Sequence, residues 1–405
     1  MSPFNSKIRE GIKDRHRLFK DLIINLSGLD RKKKLLWFHS SSMGEFEQAK
    51  PIIEKIKKNA DINILVTFFS PSGYKNSLKY PFADIISYLP FDSTRNSKRF
   101  VSLVRPSAVI FMRYDFWPNL IWILNKYNIP TFIVDATMRR RSKRKWFFSK
   151  QFHSSLFKNF LRILTISQKD KSSFEDFNIP EGILSVVGDT RFDRVYQKSL
   201  GAKRKNLFKK EILEGKKVIV LGSTWEADEE VIFPAIKKLF KYYKNLLIII
   251  APHEPTSKRL EELQYSFRDI DNIRFSYMND YSNEKVIIID SIGILLTLYY
   301  YADIAYVGGS FRQGIHSVLE PAVYGIPVVF GPKNGNSHEA RKMIDLGCGI
   351  EISNRFNTYR TFRRLITDDE KRNEIGKIAL DYVEKNIGAT EKIIYELANI
   401  KKKGE

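Results

Sequence analysis

Short apolar runs alternate along the chain with longer stretches whose apolar positions recur every three or four residues. The runs predict strands at Lys34–His39, Ile62–Phe68, Ile85–Leu89, Ala108–Met112, Thr131–Asp135 and Ile163–Ile166. A second set follows at Val218–Gly222, Leu246–Ala251, Val286–Ile289, Ile304–Val307 and Val328–Phe330. Between them, Glu45–Asn59 reads as a helix with Ile52, Ile53 and Ile56 on one face, and Ala227–Tyr243 as another. Strands alternating with helices imply parallel sheets joined by right-handed crossovers. The pattern restarts near Lys216, after a polar, basic stretch without a strand signal. The expected fold class is α/β, with a doubly wound domain at 1–195, a linker at 196–215, and a second such domain at 216–375. A helical tail at 376–405 is expected to pack back on the first domain. In doubly wound sheets ligands bind beyond the carboxyl ends of the strands, so chemistry is sought in the loops after strands.

Composition narrows the picture. The 405 residues hold 68 Lys and Arg against 46 Asp and Glu, a formal charge of +22, with 43% hydrophobic residues. That hydrophobic content excludes a disordered chain. The single cysteine, Cys348, excludes a disulfide framework and a cysteine-based zinc cluster. No apolar run approaches the roughly 18 residues of a transmembrane helix, and Met1–Lys20 is charged throughout, unlike a signal peptide. A soluble protein of a reducing compartment is expected, with a surplus suited to nucleic acid, an anionic membrane or a phosphorylated substrate.

Six loops could carry chemistry. His39-Ser-Ser-Ser-Met-Gly44-Glu45 follows the first strand; Ser42 and Gly44 let backbone N–H groups approach a ligand. Glu45 is either a first-turn acid complementing the helix dipole or a catalytic base. Gly222-Ser223-Thr224-Trp225 repeats this grammar in the second domain, with Ser223 or Thr224 as a helix cap or an anion site. Gly308-Gly309-Ser310 through Gly314, His316 and Glu320-Pro321 is a glycine-rich loop expected to open a helix, with Glu320 either facing the loop, where it could take ribose hydroxyls, or a solvated helix acid. Pro252-His253-Glu254-Pro255 is a rigid turn whose His253 could meet a phosphate or base. Met112-Arg113-Tyr114-Asp115-Phe116-Trp117 offers Arg113 and Asp115 for acceptor contact or for orienting Glu45, with Phe116 and Trp117 in the core. Arg139–Phe148 runs six basic residues into three aromatics, which suits an anionic membrane interface better than nucleic acid or a plain solvated face. Arg31–Lys34 is a second basic cluster. No metal-ligand spacing is present, and Asp269-Ile-Asp271 reads as a turn.

These blocks, in order, resemble the 3-deoxy-D-manno-oct-2-ulosonic acid (Kdo) transferases of lipopolysaccharide assembly. They are Trp37-Phe-His39-x3-Met43-Gly-Glu45, Trp117-Pro-Asn119, Gly188-Asp-Thr-Arg-Phe-Asp193, Gly222-Ser-Thr-Trp225, Gly308-Gly-Ser310, His316-x3-Glu320-Pro321, Gly331-Pro332 and Gly388-Ala-Thr390. The resemblance spans about residues 30–395. It implies the GT-B fold of two facing Rossmann-like domains with a C-terminal helix crossing back. It also implies inverting transfer of Kdo from CMP-Kdo to a hydroxyl of a lipid A precursor, without a cofactor or metal. The general base then falls on Glu45. Nucleotide contacts fall around His253, Gly309, Ser310 and Glu320, with Asn336 and Glu339 further candidates. Val328, eight residues after Glu320, lacks the second acid common in retaining relatives. The implied location is peripheral, on the cytoplasmic face of a bacterial inner membrane, held through Arg139–Phe148 and Arg31–Lys34, with no nucleic-acid partner.

The sequence departs from the family at several points. Arg113 stands where an acid is usual. Pro252-His253-Glu254 lacks an arginine expected there, Ser317 replaces an asparagine, and Ser337 an aromatic. The apolar N-terminal anchor of many members is missing. Two other readings are a sugar-nucleotide epimerase of the same fold and a non-catalytic basic protein that binds membrane or nucleic acid.

Overall fold

A computed structural model of the chain describes residues 6–139, 142–180 and 182–399. It divides into two units, residues 1–194 with 386–405, and residues 195–385.

The first unit is built on β1 (Leu35–Ser40), β2 (Asn63–Phe68), β3 (Ile85–Tyr88), β4 (Ala108–Met112), β5 (Thr131–Ala136), β6 (Arg162–Thr165) and β7 (Leu184–Val186). All pairs are parallel, in the order β3-β2-β1-β4-β5-β6-β7. Both faces are covered, so the strands are almost wholly apolar. Neighbouring residues serve opposite faces. Trp37, Leu65 and Val109 pack with Phe100, Phe111 and Phe157 on one side. Phe38, Val66 and Ile110 pack with Phe46, Ile52 and Phe132 on the other.

The second unit repeats the plan with β8 (Lys217–Thr224), β9 (Leu246–Pro252), β10 (Asn272–Arg274), β11 (Val286–Ile288), β12 (Ile304–Val307), β13 (Val328–Phe330) and β14 (Gly349–Glu351). Its order is β10-β11-β9-β8-β12-β13-β14, again all parallel. The chain reverses direction across the sheet between β1 and β4 in one unit and between β8 and β12 in the other. These are the switch points at which loops part and leave room for a ligand.

The expected stretch at 196–215 is partly helical, since Thr190–Ala202 is one helix and the unit boundary falls inside it. The tail is two helices, broken at Gly388, whose φ is +106°. Asp369–Glu384 belongs to the second unit and Ala389–Ala398 to the first. Ile393 and Leu397 of the latter enter the Phe38–Phe46 core. One carboxylate fastens it: Asp193 accepts from the N–H groups of Gly388 and Thr390 at 2.6 Å each, and from the Thr390 hydroxyl at 2.7 Å. Two separated sequence blocks, Gly188–Asp193 and Gly388–Thr390, are thus the two halves of a clasp.

Candidate functional site

At the β1/β4 switch point of the first unit, the chain leaves β1 through Ser41 and enters the helix Met43–Asn59 with Ser42 as N-cap. Glu45 lies in its first turn and folds back. Its Oε2 accepts from the N–H of Ser41 at 2.6 Å and of Ser42 at 3.3 Å. This is a capping box, so the helix-start role of Glu45 is observed directly. Glu45 is only 8% exposed. Burial, aided by the charge of Asp115, raises its pKa above the ordinary carboxylate range despite those N–H donors. Gly44 is exposed, and a Cβ there would touch only the Ser42 hydroxyl, at 4.0 Å. The small residues keep the helix start open.

Asp115, in the loop after β4, is the hub beside it. Its Oδ2 meets His39 Nε2 at 2.9 Å, accepts from Trp117 Nε1 at 2.7 Å, and accepts from the Ser41 hydroxyl. Burial pushes the Asp115 carboxyl up, but His39 with Ser41 and Trp117 outweigh it and hold it below its usual value. His39 Nδ1 lies 2.8 Å from the Thr67 hydroxyl oxygen, which also accepts from Trp37 Nε1 at 2.8 Å. The network therefore runs from the core of the sheet to the residue whose N–H holds Glu45. Phe116 and Trp117 are half-buried and pack against the core, with the Trp117 indole N–H turned to Asp115. Arg113 sits at φ +64°, a left-handed conformation uncommon outside glycine. Its Nε is buried without a hydrogen-bond partner.

In the second unit the loops after β8, β9 and β12 meet. Ser223 and Thr224 do not cap the following helix, contrary to expectation, because both belong to β8. Trp225 is the N-cap, and its N–H is taken by Asp228 Oδ2 at 2.9 Å. Thr224 is buried and donates to Glu229 at 2.8 Å, so its hydroxyl is committed inward. Glu229 also pairs with Arg259. Ser223 takes φ +52°, and Gly308 packs on its carbonyl so closely that a Cβ would meet that oxygen at 2.2 Å.

The glycine-rich segment opens no helix at Ser310–Ile315. It turns back on itself, and the short helix begins only at Leu319. Gly309 has φ +89°, and a Cβ there would lie 2.4 Å from the Gly314 carbonyl oxygen. Asp228, fully buried, pins this loop by accepting from Gly309 N–H and Tyr306 O–H at 2.8 Å each. Asn336 holds its far end, bonding the Ile315 N–H and carbonyl at 3.1 Å each. Ser310 is buried, its hydroxyl oxygen accepting from Gly331 N–H at 2.6 Å. Glu339, also buried, accepts from Ser337 Oγ at 2.9 Å at a helix start. These two are part of the frame.

Three rings form a ladder on this frame. Trp225 stacks on His253 at 4.5 Å between centroids, and His253 on His316 at 4.6 Å. Burial and the neighbouring His253 lower the His316 pKa, which keeps its ring neutral near pH 7. Beside it, Ser223, His316, Ser317 and Glu320 line a cavity of about 590 Å³ with Tyr299, Lys198 and Lys205. A neutral face, a carboxylate and two lysines suit a nucleotide-sized anion.

Sequence reasoning missed Asp228, Thr67 and the two lysines, and named His39 in the first loop without giving it a role. Trp225-x-x-Asp228 is a capping pattern and was the available signal for Asp228. Thr67 lies inside an apolar strand, where no spacing marks it. Of the basic run, Arg140 and Arg141 lie outside the described residues. Arg144 stacks on Phe116 at 4.8 Å and Lys145 pairs with Asp176 at 2.7 Å, so both turn inward. Trp146 and Phe148 stand 69% and 83% exposed. Among the described residues no group of His, Cys, Asp and Glu is placed to hold a metal ion.

Residues 11–194 match the family model described as 3-deoxy-D-manno-octulosonic-acid transferase (kdotransferase). The 3-deoxy-D-manno-octulosonic acid transferase of Aquifex aeolicus is 32% identical over 326 residues, covering 80% of this chain and 83% of that protein. Its namesake in Haemophilus influenzae is 27% identical over 375 residues, 89% and 85% of the two chains. Among solved structures, UDP-GlcNAc 2-epimerase from Neisseria meningitidis bound to UDP-GlcNAc superposes with a TM-score of 0.64 at 16% identity, over 91% of this chain and all of that one. That likeness establishes the fold, α/β of GT-B type.

Proposed function

Since the chain belongs to the 3-deoxy-D-manno-octulosonic acid transferase family, and is a glycosyltransferase, we propose that it moves Kdo from CMP-Kdo to a sugar hydroxyl of a lipid A precursor with inversion. The observation that carries the mechanism is the buried Glu45, oriented by two backbone N–H groups and raised in pKa. In this reading one carboxylate oxygen is fixed by the helix start. The other takes the proton of the attacking hydroxyl as its oxygen bonds to the anomeric carbon and CMP leaves. A carboxylate whose pKa is raised is a stronger base once it is ionised. Asp115 positions it through Ser41. Arg113, with a buried N–H lacking an acceptor, fits an anionic group of the acceptor.

The second unit takes the donor. Its cavity accepts the nucleoside, with Glu320 on the ribose hydroxyls and the His253–His316 face, Lys198 and Lys205 near the phosphate and the Kdo carboxylate. The leaving group carries a single phosphate, so backbone N–H groups and these side chains are an adequate counterpart.

The acceptor lies in a membrane, and no helix among the described residues is long and apolar enough to cross one. The exposed Trp146 and Phe148, with Lys143, make the membrane contact in this reading. The segment follows β5 at the same edge of the sheet as Glu45. The Arg31–Lys34 cluster enters β1 at the opposite edge and is left out of that contact.

Incubation with CMP-Kdo and a lipid A precursor, followed by mass analysis of the lipid, tests the proposal. A lipid without added Kdo overturns it. A UDP-sugar converted to its epimer in the absence of acceptor would establish the epimerase reading instead.

A further inference from the structure

We propose that the first unit carries a second ligand site, at the amino-terminal edge of its sheet, for a phosphorylated amphiphile. A cavity of about 620 Å³ opens there between the entrance to β1, the start of β2 and the turn before β4. Five cations line it: Arg31, Lys32, Lys33, Lys34 and Arg105. Asp61 pairs with Lys33 at 2.6 Å. The Asp30 carboxylate accepts the Lys32 N–H at 3.0 Å. Among the described residues, the Arg31 and Arg105 guanidinia donate only to neutral carbonyls, of Leu103 at 3.5 Å and of Ser102 at 3.3 Å. Among the described residues, no ion pair reaches Arg31, Lys32, Lys34 or Arg105. The five cations outnumber the carboxylates Asp30, Asp61 and Asp84 beside them, and an anion seated among them relieves the remaining repulsion.

Arg105 adds an independent observation. It stands at φ +49°, a left-handed position that glycine fills at least cost. An arginine kept in this conformation directs a guanidinium to the cavity wall, and guanidinium forks match phosphate geometry.

The neighbouring cavity, of about 830 Å³, shares Lys34 and Ser107 with the first. Its walls are largely apolar, with Leu36, Ile62, Ile129, Pro130, Leu161 and Leu397 among them. A basic cavity adjoining an apolar one across Lys34 and Ser107 fits a ligand with an anionic head and a hydrocarbon body. The strands are parallel, so this edge lies about 20 Å, the length of a six-residue strand, from the Glu45 edge. The site is therefore separate from the proposed chemistry and does not depend on it.

The test is calorimetry of the whole protein with monomeric dihexanoyl phosphatidic acid, inorganic phosphate and dihexanoylglycerol. Arg105→Gly and Lys34→Ala serve as variants; both positions are exposed, and glycine suits the backbone at 105. The phosphatidic acid is expected to bind in a salt-dependent way, more tightly than phosphate or the neutral lipid. The double variant should lose about tenfold in affinity with unchanged circular dichroism and unchanged CMP binding. Phosphate binding as tightly as the amphiphile overturns the apolar half of the assignment and with it the proposal. So does amphiphile binding indifferent to the two substitutions. Vesicles that bind while the monomeric lipid does not would identify a membrane surface rather than a ligand site, and would also overturn it.

Discussion

The two units share a parallel α/β plan and divide the charge very unequally. The first carries 39 Lys and Arg against 21 Asp and Glu, the second 29 against 25. The surplus is therefore +18 in one and only +4 in the other. A charge that served the fold would appear in both, and a charge that served the nucleotide would appear in the second. It appears where Glu45, the Trp146 face and the Arg31–Lys34 cavity lie. The two sites differ accordingly. The first is a network of ionisable groups, in which Asp115 raises the Glu45 pKa and His39 lowers those of both carboxyls. The second is a frame of backbone, glycine and stacked rings, held by the buried Asp228. In the proposed reading, charge serves chemistry and docking in the first unit, while the second binds through shape, N–H groups and a few charged side chains.

The sharpest break of this comparison is Glu45→Gln. The amide keeps the shape and loses the base. Transfer should fall by about 10²–10⁴-fold, while CMP binding by calorimetry stays as in the wild type. If donor affinity and turnover fall together, the division of labour is wrong.

Next in size is Asp228→Ala. It strands the Tyr306 hydroxyl and the N–H groups of Trp225 and Gly309, all inside the second unit. Leaving buried donors unsatisfied costs about 1–3 kcal/mol for each, so thermal unfolding should move down by several degrees and CMP binding weaken. Asp228→Asn, which keeps one acceptor oxygen, should recover part of both. Equal loss in the two variants would mean that the charge, rather than the acceptor geometry, holds the loop.

Much of this frame was legible and some was not, for reasons that can be stated. The long apolar strands, β1, β2, β4, β5, β8, β9 and β12, announce themselves because both faces are buried. β7, β10 and β14 were missed. Each has three residues, and β7 and β10 include polar ones such as Ser185 and Asn272. Edge position removes the need for a continuous apolar run. Loops after β1 and β12 were found because small residues after a strand have few other uses. Within them, individual roles were not readable. Thr224 and Ser310 have ligand-binding chemistry, yet both hydroxyls face inward. Glu45 was read as either capping or catalytic, and the fold gives it the capping contacts without consuming its second oxygen. The glycine-rich loop was read as a helix start because glycine, serine and a later Glu-Pro pair imitate one. The left-handed Gly309 and Gly314 turn it aside first.

A smaller effect concerns pH. Glu45 must be ionised to accept a proton, and its pKa is raised by burial and by Asp115. Activity should therefore rise with pH through a limb that lies above the ordinary carboxylate range, and should be lost as pH falls through it. Asp115→Asn removes the neighbouring anion, so the limb should move to lower pH even as the rate falls through the loosened Ser41. A limb that stays in place would mean that burial alone sets the base.

The smallest expected effect tests whether the asymmetric charge is used at all. Binding to anionic vesicles should weaken as salt rises, because exposed charges are screened beyond about 10 Å at 0.1 M ionic strength. Lys143→Glu, beside the exposed Trp146 and Phe148, reverses one charge on the first unit. Lys244→Glu reverses one exposed charge on the second. Each basic residue near an anionic surface contributes about 1 kcal/mol, so the first reversal should weaken sedimentation with vesicles severalfold and the second should leave it unchanged. Trp146→Ala should weaken it at high salt as well, since apolar burial is not screened. Equal losses from both reversals would spread the membrane contact over the whole molecule, and the surplus of +18 would then lose its address.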